Sequence, residues 1–161
     1  LLICTHTFAE QKVVVLDLTF VLNESKAGKD AQEFLKKSYN NNVKKFSDME
    51  KALKEEERDL LTKKTVLSRE EYNKKSDALR KKVIDYQSQR RAALEKITTQ
   101  RAEARQKLIE KLDPILKTYV KENDISLIID KKNVLMGSTN LDITNIIIKK
   151  LNKELPALTI K

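Results

Sequence analysis

The chain has few of the residues that interrupt helices. Among its 161 residues there are two glycines and two prolines, and residues 29–113 contain neither type. Glycine and proline are the strongest breakers of helical structure. Their absence over so long a stretch predicts very long helices.

Apolar and aromatic residues are also scarce. Tryptophan is absent, aromatic residues make up 5% of the chain, and 35% of the residues are charged. The mean hydropathy is −0.55. This composition excludes a globular core in proportion to the length of the chain. We therefore expect an elongated protein with most side chains in water.

Thiol and imidazole groups are confined to the first residues. The one cysteine is Cys4 and the one histidine is His6. The segment Leu1–Cys4 resembles the end of a secretory apolar region, and Thr7–Ala9 fits a small-x-small cleavage site. We interpret residues 1–9 as a signal-peptide remnant, so the mature chain would contain neither cysteine nor histidine.

Other functional classes lack support in the sequence. A lipid anchor on Cys4 is disfavoured because Ile3 is bulkier than the residue that usually precedes a lipidated cysteine. Beyond residue 9, no segment has the roughly 18 consecutive apolar residues that a membrane span needs. No base and nucleophile occur at a defined spacing. We expect neither an enzyme nor a bound cofactor.

The net charge is +9, from 33 basic and 24 acidic residues, and most of the excess lies in one region. Residues 62–107 hold 14 Lys or Arg and 6 Asp or Glu. A basic surface favours anionic partners such as nucleic acid, phospholipid, lipopolysaccharide or acidic proteins. A solvated helix face explains the same pattern, because Lys and Arg are good helix formers.

Residues 25–122 are predicted to form two helices that fold back on each other as an antiparallel hairpin arm. Ser68 and Glu71 fit a capping box, which places the start of the second helix there and the tip near residues 63–68. The alternative, one continuous helix, would leave the strand-like segments at opposite ends with no partner.

Further features mark the ends and the packing face of the helices. Asn23 or Ser25 can cap the first helix. Pro114 interrupts the second helix and is interpreted as a kink or as a hinge. Apolar residues of the second helix recur at three and four residues, as in a coiled-coil contact. This seam consists of Tyr72, Leu79, Val83, Tyr86, Arg90, Ala93, Ile97, Ala104, Leu108, Leu112, Ile115 and Tyr119.

Three short strands flank the hairpin. We predict strands at Lys12–Leu18, Ile125–Asp130 and Asn133–Met136, the last two joined by a tight turn at Lys131-Lys132, and a closing helix from Asp142. So small a sheet exposes its edges and is marginal alone. Association that closes a barrel would pair those edges. The predicted fold is α+β, with a body of residues 10–24 and 123–161.

Two segments resemble one known family. The first runs from Val13 to Leu18 and on through Val21–Gln32, and the second comprises Leu127–Leu135 with Leu141–Thr144. They are similar to the N-terminal and C-terminal segments of the Skp (OmpH) family of periplasmic chaperones. The resemblance implies a homotrimer whose strands form a central β-barrel and whose three arms enclose unfolded outer-membrane proteins without ATP. It also implies export to the periplasm through a cleavable signal peptide.

The resemblance suggests positions for these functions. The implied barrel and oligomerisation residues are Val13, Val14, Val15, Leu16, Leu127, Ile128, Ile129, Val134 and Leu135. Met136 stands where a larger aromatic is expected. The family is associated with lipopolysaccharide and anionic lipid, and by charge and position alone the candidate contacts for lipid or client are Lys81, Lys82, Arg90 and Arg91. Pro114 is the candidate hinge.

Two other hypotheses fit the composition. A basic coiled coil could bind nucleic acid, although aromatics are scarce and no groove-reading motif is present, so we expect no nucleic-acid partner. A structural envelope adaptor could use the hairpin as a docking rod for one folded partner.

Overall fold

A computed structural model describes residues 11–160 of the protein, and the interpretation of residues 1–9 as a signal-peptide remnant lies outside them. The strands are Lys12–Leu16 (β1) and Ile125–Asp130 (β2), and the helices are Leu18–Glu24 (α1), Lys26–Thr62 (α2), Arg69–Glu122 (α3) and Thr144–Glu154 (α4). Two compact units are present. The sheet unit comprises the described residues up to Gln32 and from Glu103, and the tip unit is Glu33–Ala102.

The sheet contains two parallel strands. Val13 lies opposite Leu127 and Val15 opposite Ile129. Parallel neighbours need a long connection, which the helical hairpin supplies here. On its other side β1 meets the start of α4, where the Ile143 N–H donates to the Val15 carbonyl at 2.9 Å. Within residues 11–160 no strand pairs with the outer edge of β2.

The prediction of a third strand at Asn133–Met136 was wrong. The Asp130 carboxylate accepts a hydrogen bond from the Lys132 N–H at 3.1 Å and begins a 3-10 turn, Lys131–Asn133. A side chain that bonds to the nearby backbone competes with strand pairing. Val134 and Leu135 therefore follow the turn outside any strand, and Leu135 and Met136 are almost fully exposed.

The first strand is shorter than predicted, because α1 begins directly after it. The Asp17 carboxylate accepts a hydrogen bond from the Phe20 N–H at 2.8 Å and caps α1. The Asp17 N–H donates to Thr144 Oγ1 at 2.9 Å and so connects this cap to α4. Strand β1 consequently ends at Leu16, two residues earlier than predicted.

Ser25 confirms one of the two predicted caps. Its Oγ accepts a hydrogen bond from the Gly28 N–H at 3.2 Å at the start of α2, whereas Asn23 lies in the last turn of α1. The side chain of Ser25 is fully buried. The chain turns sharply here, and the first turn of α2 lies directly against the Leu22 carbonyl.

The core of the sheet unit is built by its strands and α-helices. Both strands, α1, the ends of the hairpin helices and α4 contribute to it. Its buried members are Val14, Leu16, Val21, Leu22, Ala27, Leu108, Leu112, Ile115, Ile125, Ile143, Ile147 and Leu151. A second, smaller cluster joins Ile160 to Ala31 and Ala104, so the segment after α4 packs on both hairpin helices.

Asp142 connects the start of α4 to the turn after β2. Its carboxylate accepts hydrogen bonds from Lys131 Nζ at 2.7 Å and from the Thr144 N–H at 2.9 Å. Partial burial works to raise the pKa of Asp142, but the Lys131 and Thr144 hydrogen bonds outweigh it, and the pKa is lowered from its ordinary value.

We expect the Asp142 contacts to stabilise the fold at neutral pH and to be lost in acid. A carboxyl whose pKa is lowered by folding binds protons more readily in the unfolded chain, so its contribution disappears as the pH falls below about 4. Asp142→Asn should be less stable than the parent at pH 7, and the difference should shrink toward pH 2. Urea unfolding between pH 7 and pH 2 measures the free energy of unfolding of both proteins. Asp113→Asn, at an exposed position, is the control.

Candidate functional site

Helices α2 and α3 form the predicted hairpin, with Lys63–Leu67 as the turn between them. The Phe46 and Tyr86 rings meet edge to face, with centroids 6.0 Å apart and an interplanar angle of 71°. The seam prediction is confirmed at its buried positions, including Tyr86 and Ile97. Arg90, which the heptad pattern placed in the seam, is exposed instead.

The capping box at the start of α3 is confirmed. Ser68 Oγ accepts a hydrogen bond from the Glu71 N–H at 3.2 Å, and Glu71 Oε2 accepts from the Ser68 hydroxyl at 2.7 Å and from the Ser68 N–H at 3.1 Å. The hydrogen bond from the Ser68 side chain, followed by that from its backbone, lowers the pKa of Glu71.

Removing this cap should loosen the first turn of α3. Loss of an N-cap side chain typically costs about 1 kcal/mol, which corresponds to roughly fivefold faster local opening. We expect Ser68→Ala to speed amide hydrogen exchange at Glu71 and Tyr72 by about this factor while exchange at Leu112 stays unchanged. Ser88→Ala, at an exposed mid-helix position, is the control and should leave both regions as they are in the parent.

One face of the hairpin in the tip unit carries an apolar groove. It consists of two adjoining cavities, of about 650 Å³ nearer the turn and about 320 Å³ farther along, which share Glu50 and Tyr86. Large apolar side chains on its walls remain in contact with water; Ile84 is 65% exposed and Leu61 is 58% exposed. The exposed apolar residues of the groove are Tyr39, Val43, Leu61, Ile84 and Leu94.

The opposite face of the hairpin is polar. There Lys82 Nζ lies 2.7 Å from Glu56 Oε1, and Lys45 Nζ donates to Gln89 Oε1 at 3.2 Å. At 3.6 residues per turn, Lys82 points about 200° away from Ile84 on α3. These contacts join the two helices across the polar face. The tip unit thus presents a bridged polar face and an open face whose groove combines exposed apolar side chains with the Glu50–Lys54 ion pair.

The structure does not gather the four candidate cations into one site. Lys81 and Arg90 are nine residues apart, which is about 2.5 turns and places them on opposite sides of α3. Lys82 and Arg91 are separated in the same way. Lys82 is paired with Glu56, and Arg90 lines the smaller cavity of the apolar groove.

The nine predicted oligomerisation residues divide into an interior and a surface group. Val14, Val15 and Leu16 are buried in the chain's own fold, and Val13, Ile128, Ile129 and Val134 are half-buried. Leu127 is 53% exposed and Leu135 is fully exposed. Leu127 lies on β2, the strand with the unpaired edge, and Leu135 lies five residues after the end of β2.

Pro114 lies within α3, which continues to Glu122. Its side chain lines a cavity with residues of α4. The hinge at Pro114 stays a prediction.

Residues 11–160 lack two kinds of feature. No helix there has the length and apolar character to cross a bilayer. In the same part of the chain, no three His, Cys, Asp or Glu side chains cluster so as to hold a metal ion.

Comparison with known proteins decides the family. The family described as outer membrane protein (OmpH-like) matches residues 12–151. The chain belongs to the OmpH-like family. It is 25% identical over 146 residues to the Skp-like protein of Pseudomonas aeruginosa, covering 91% of this chain and 87% of that protein.

A solved OmpH-like structure shares the fold. The crystal structure of a candidate outer membrane chaperone (OmpH-like) from Caulobacter crescentus matches with a TM-score of 0.87 and 19% sequence identity. The match covers 98% of this chain and 93% of that one. The long helical hairpin beside a small sheet is therefore the OmpH-like fold. The family match over residues 12–151 confirms the family resemblance of the terminal segments.

Proposed function

We propose that this OmpH-like protein is an ATP-independent periplasmic holdase that binds unfolded outer-membrane β-barrel proteins and prevents their aggregation before insertion. The observation that carries the proposal is the apolar groove of the tip unit. Five large apolar side chains are held there in contact with water, next to cavities that nothing else in the tip unit fills. Apolar side chains gathered beside open cavities are typical of binding grooves.

The chemistry of the groove suits an extended, unfolded chain. Alternate side chains of such a chain point the same way, about 6.6 Å apart, and in a β-barrel protein one of the two rows is apolar. The groove residues of α3, Ile84 and Leu94, are separated by ten residues, or about 15 Å of helix. Several client side chains can therefore contact the groove at once, each weakly and without a fixed register.

Charge adds a longer-range attraction. The tip unit carries 19 Lys or Arg and 12 Asp or Glu. The excess of positive charge attracts acidic client chains, and salt screens this attraction. Lys81, Lys82, Arg90 and Arg91 contribute to it from different sides of α3, and any contact they make with lipopolysaccharide or anionic phospholipid would be made by separate cations.

Self-association as a homotrimer is part of the proposal. It is supported by the unpaired edge of β2 and by the exposed apolar side chains of Leu127, Leu135 and Met136. An open strand edge is a template for pairing with another chain. Three hairpins with one weak groove each would retain a client through avidity.

Suppression of aggregation tests the function. A urea-unfolded outer-membrane protein diluted into buffer should scatter less light when substoichiometric trimer is present. The double variant Leu61→Ser, Ile84→Ser should need several-fold more protein for the same effect. Val66→Ser removes an apolar side chain from the turn, outside the groove, and should behave as the parent. Undiminished scattering with the parent protein would count decisively against a holdase.

A further inference from the structure

A second cavity lies in the sheet unit, between α3 and the end of α4. Its volume is about 450 Å³, within the range of small-ligand sites. Three lysines from the two helices line it, together with one hydroxyl and one carboxylate. These polar residues are Lys111, Thr118, Lys150, Lys153 and Glu154, and Pro114 forms part of the apolar wall.

The cations at this cavity are poorly neutralised. Lys150 is half-buried, with its Nζ 5.5 Å from the centre of the Tyr119 ring and 3.6 Å from Glu122 Oε2. In residues 11–160, no carboxylate lies within 4.0 Å of the Lys111 or Lys153 ammonium group. Three positive charges thus share one cavity with the Glu154 carboxylate, and among the three lysines Lys150 alone has a further carboxylate, that of Glu122, within 4.0 Å in residues 11–160.

We propose that this cavity binds a phosphate-bearing anion. Ammonium groups act as point-charge ligands for phosphate, and the Thr118 hydroxyl can donate a further hydrogen bond. The Pro114 ring and the adjacent Ile115 side chain are hydrocarbon, so together they provide an apolar wall for the organic part of the ligand. The cavity is larger than a bare phosphate needs and leaves room for a head group.

Stabilisation of a helix end does not account for all three lysines. Lys153 lies in the last turn of α4, where a cation offsets the partial negative charge of the free carbonyl groups. Lys111 is eleven residues before the end of α3 and has no such role. Glu154 and the carbonyl end of α4 oppose an anion, so the affinity should be modest and should rise when Glu154 is neutralised.

This site is separate from the apolar groove and from the four candidate cations on α3. The groove and all four of those cations lie in the tip unit, whereas the cavity residues all lie in the sheet unit. Phosphate binding here does not depend on the holdase proposal.

Titration calorimetry with the full chain at low salt tests the site, with two probes. One is inorganic phosphate, and the other is vesicles of phosphatidylcholine containing phosphatidylglycerol. Binding of phosphate alone identifies a soluble phosphate ligand, and binding of the vesicles identifies a lipid head group. For the probe that binds, Lys150→Gln and Lys111→Gln should each weaken binding about tenfold, since a charge-assisted hydrogen bond is worth roughly 1.4 kcal/mol or more. Glu154→Gln should tighten it.

Lys149→Gln is the matched control, because Lys149 is exposed on α4 and does not line the cavity. It should bind as the parent does. Circular dichroism of each variant verifies the fold. If Lys150→Gln is unstable, Lys111→Gln still tests the site, because Lys111 is exposed and its replacement should not affect folding. Equal weakening by Lys149→Gln would show diffuse charge attraction and overturn the proposal. Failure of both probes to bind the parent would overturn it as well.

Discussion

Gly28→Ala is expected to destabilise the sheet unit by about 3 kcal/mol, as severe overpacking does. A Cβ atom at position 28 would lie 1.9 Å from the Leu22 carbonyl oxygen and 2.9 Å from the Leu22 carbonyl carbon. These are backbone atoms at the end of α1, so they cannot move without disturbing the turn between α1 and α2. The Gly28 N–H also donates to the buried Ser25 Oγ, and a shift of the chain would weaken this bond.

Gly137→Ala is the matched control for Gly28→Ala. Its new Cβ would meet only Val134 Cγ1, at an ordinary contact distance of 3.7 Å. We expect a change within about 0.5 kcal/mol, as is usual for surface positions. Urea unfolding followed by circular dichroism measures both variants. Similar stability of Gly28→Ala and the parent would contradict the close approach of α1 and α2.

Val14→Asp is expected to cost about 3 to 5 kcal/mol, the usual penalty for an unpaired buried charge. Val14 is 4% exposed, lies opposite Ile128 in the sheet and belongs to the core of the sheet unit. The variant should therefore lose the folded sheet unit itself as well as any assembly. Thermal unfolding by circular dichroism tests this, and a melting temperature equal to that of the parent would be inconsistent with a core that contains Val14.

Leu135→Asp tests assembly separately from the folding of the subunit. Leu135 is fully exposed in the single chain, so the charge should leave the stability of the subunit unchanged within about 0.5 kcal/mol. If Leu135 is buried between copies in the proposed trimer, the variant should have the mass of a monomer by multi-angle light scattering. A folded, trimeric Leu135→Asp would remove this residue from the proposed interface.

The helical part of the fold was predictable because its signals are local. The cap at Ser68 depends on a residue three positions away, and the seam through Tyr86 and Ile97 depends on apolar residues that follow one another at three or four positions. The sheet was harder, because two aspartates decide where its strands end. Asp17 begins α1 and Asp130 begins a 3-10 turn, and each competes with continued strand structure through one hydrogen bond to the backbone.

Functional surfaces were less predictable than the helices that carry them. Lys81, Lys82, Arg90 and Arg91 are adjacent in pairs along the sequence, but the helical period distributes them around α3. The groove residues Ile84 and Leu94 did have a signal, since both are apolar and lie outside the seam. The groove is formed by α3 together with α2, so these two residues identify it only when the facing side chains of α2 are known. The cavity lined by Lys111, Lys150 and Lys153 lies between α3 and α4. No local sequence pattern predicts that these two helices meet there.

Photocrosslinking tests whether the apolar groove is the surface that holds the client. A photoreactive side chain is placed at Ile84 in the groove or, in a matched variant, at Lys82 on the polar face two residues away. Each protein is irradiated with an unfolded outer-membrane protein bound. We expect strong crosslinking to the client from position 84 and little from position 82. Equal crosslinking from both positions, or crosslinking from position 82 alone, in variants that still suppress aggregation would contradict this role of the groove.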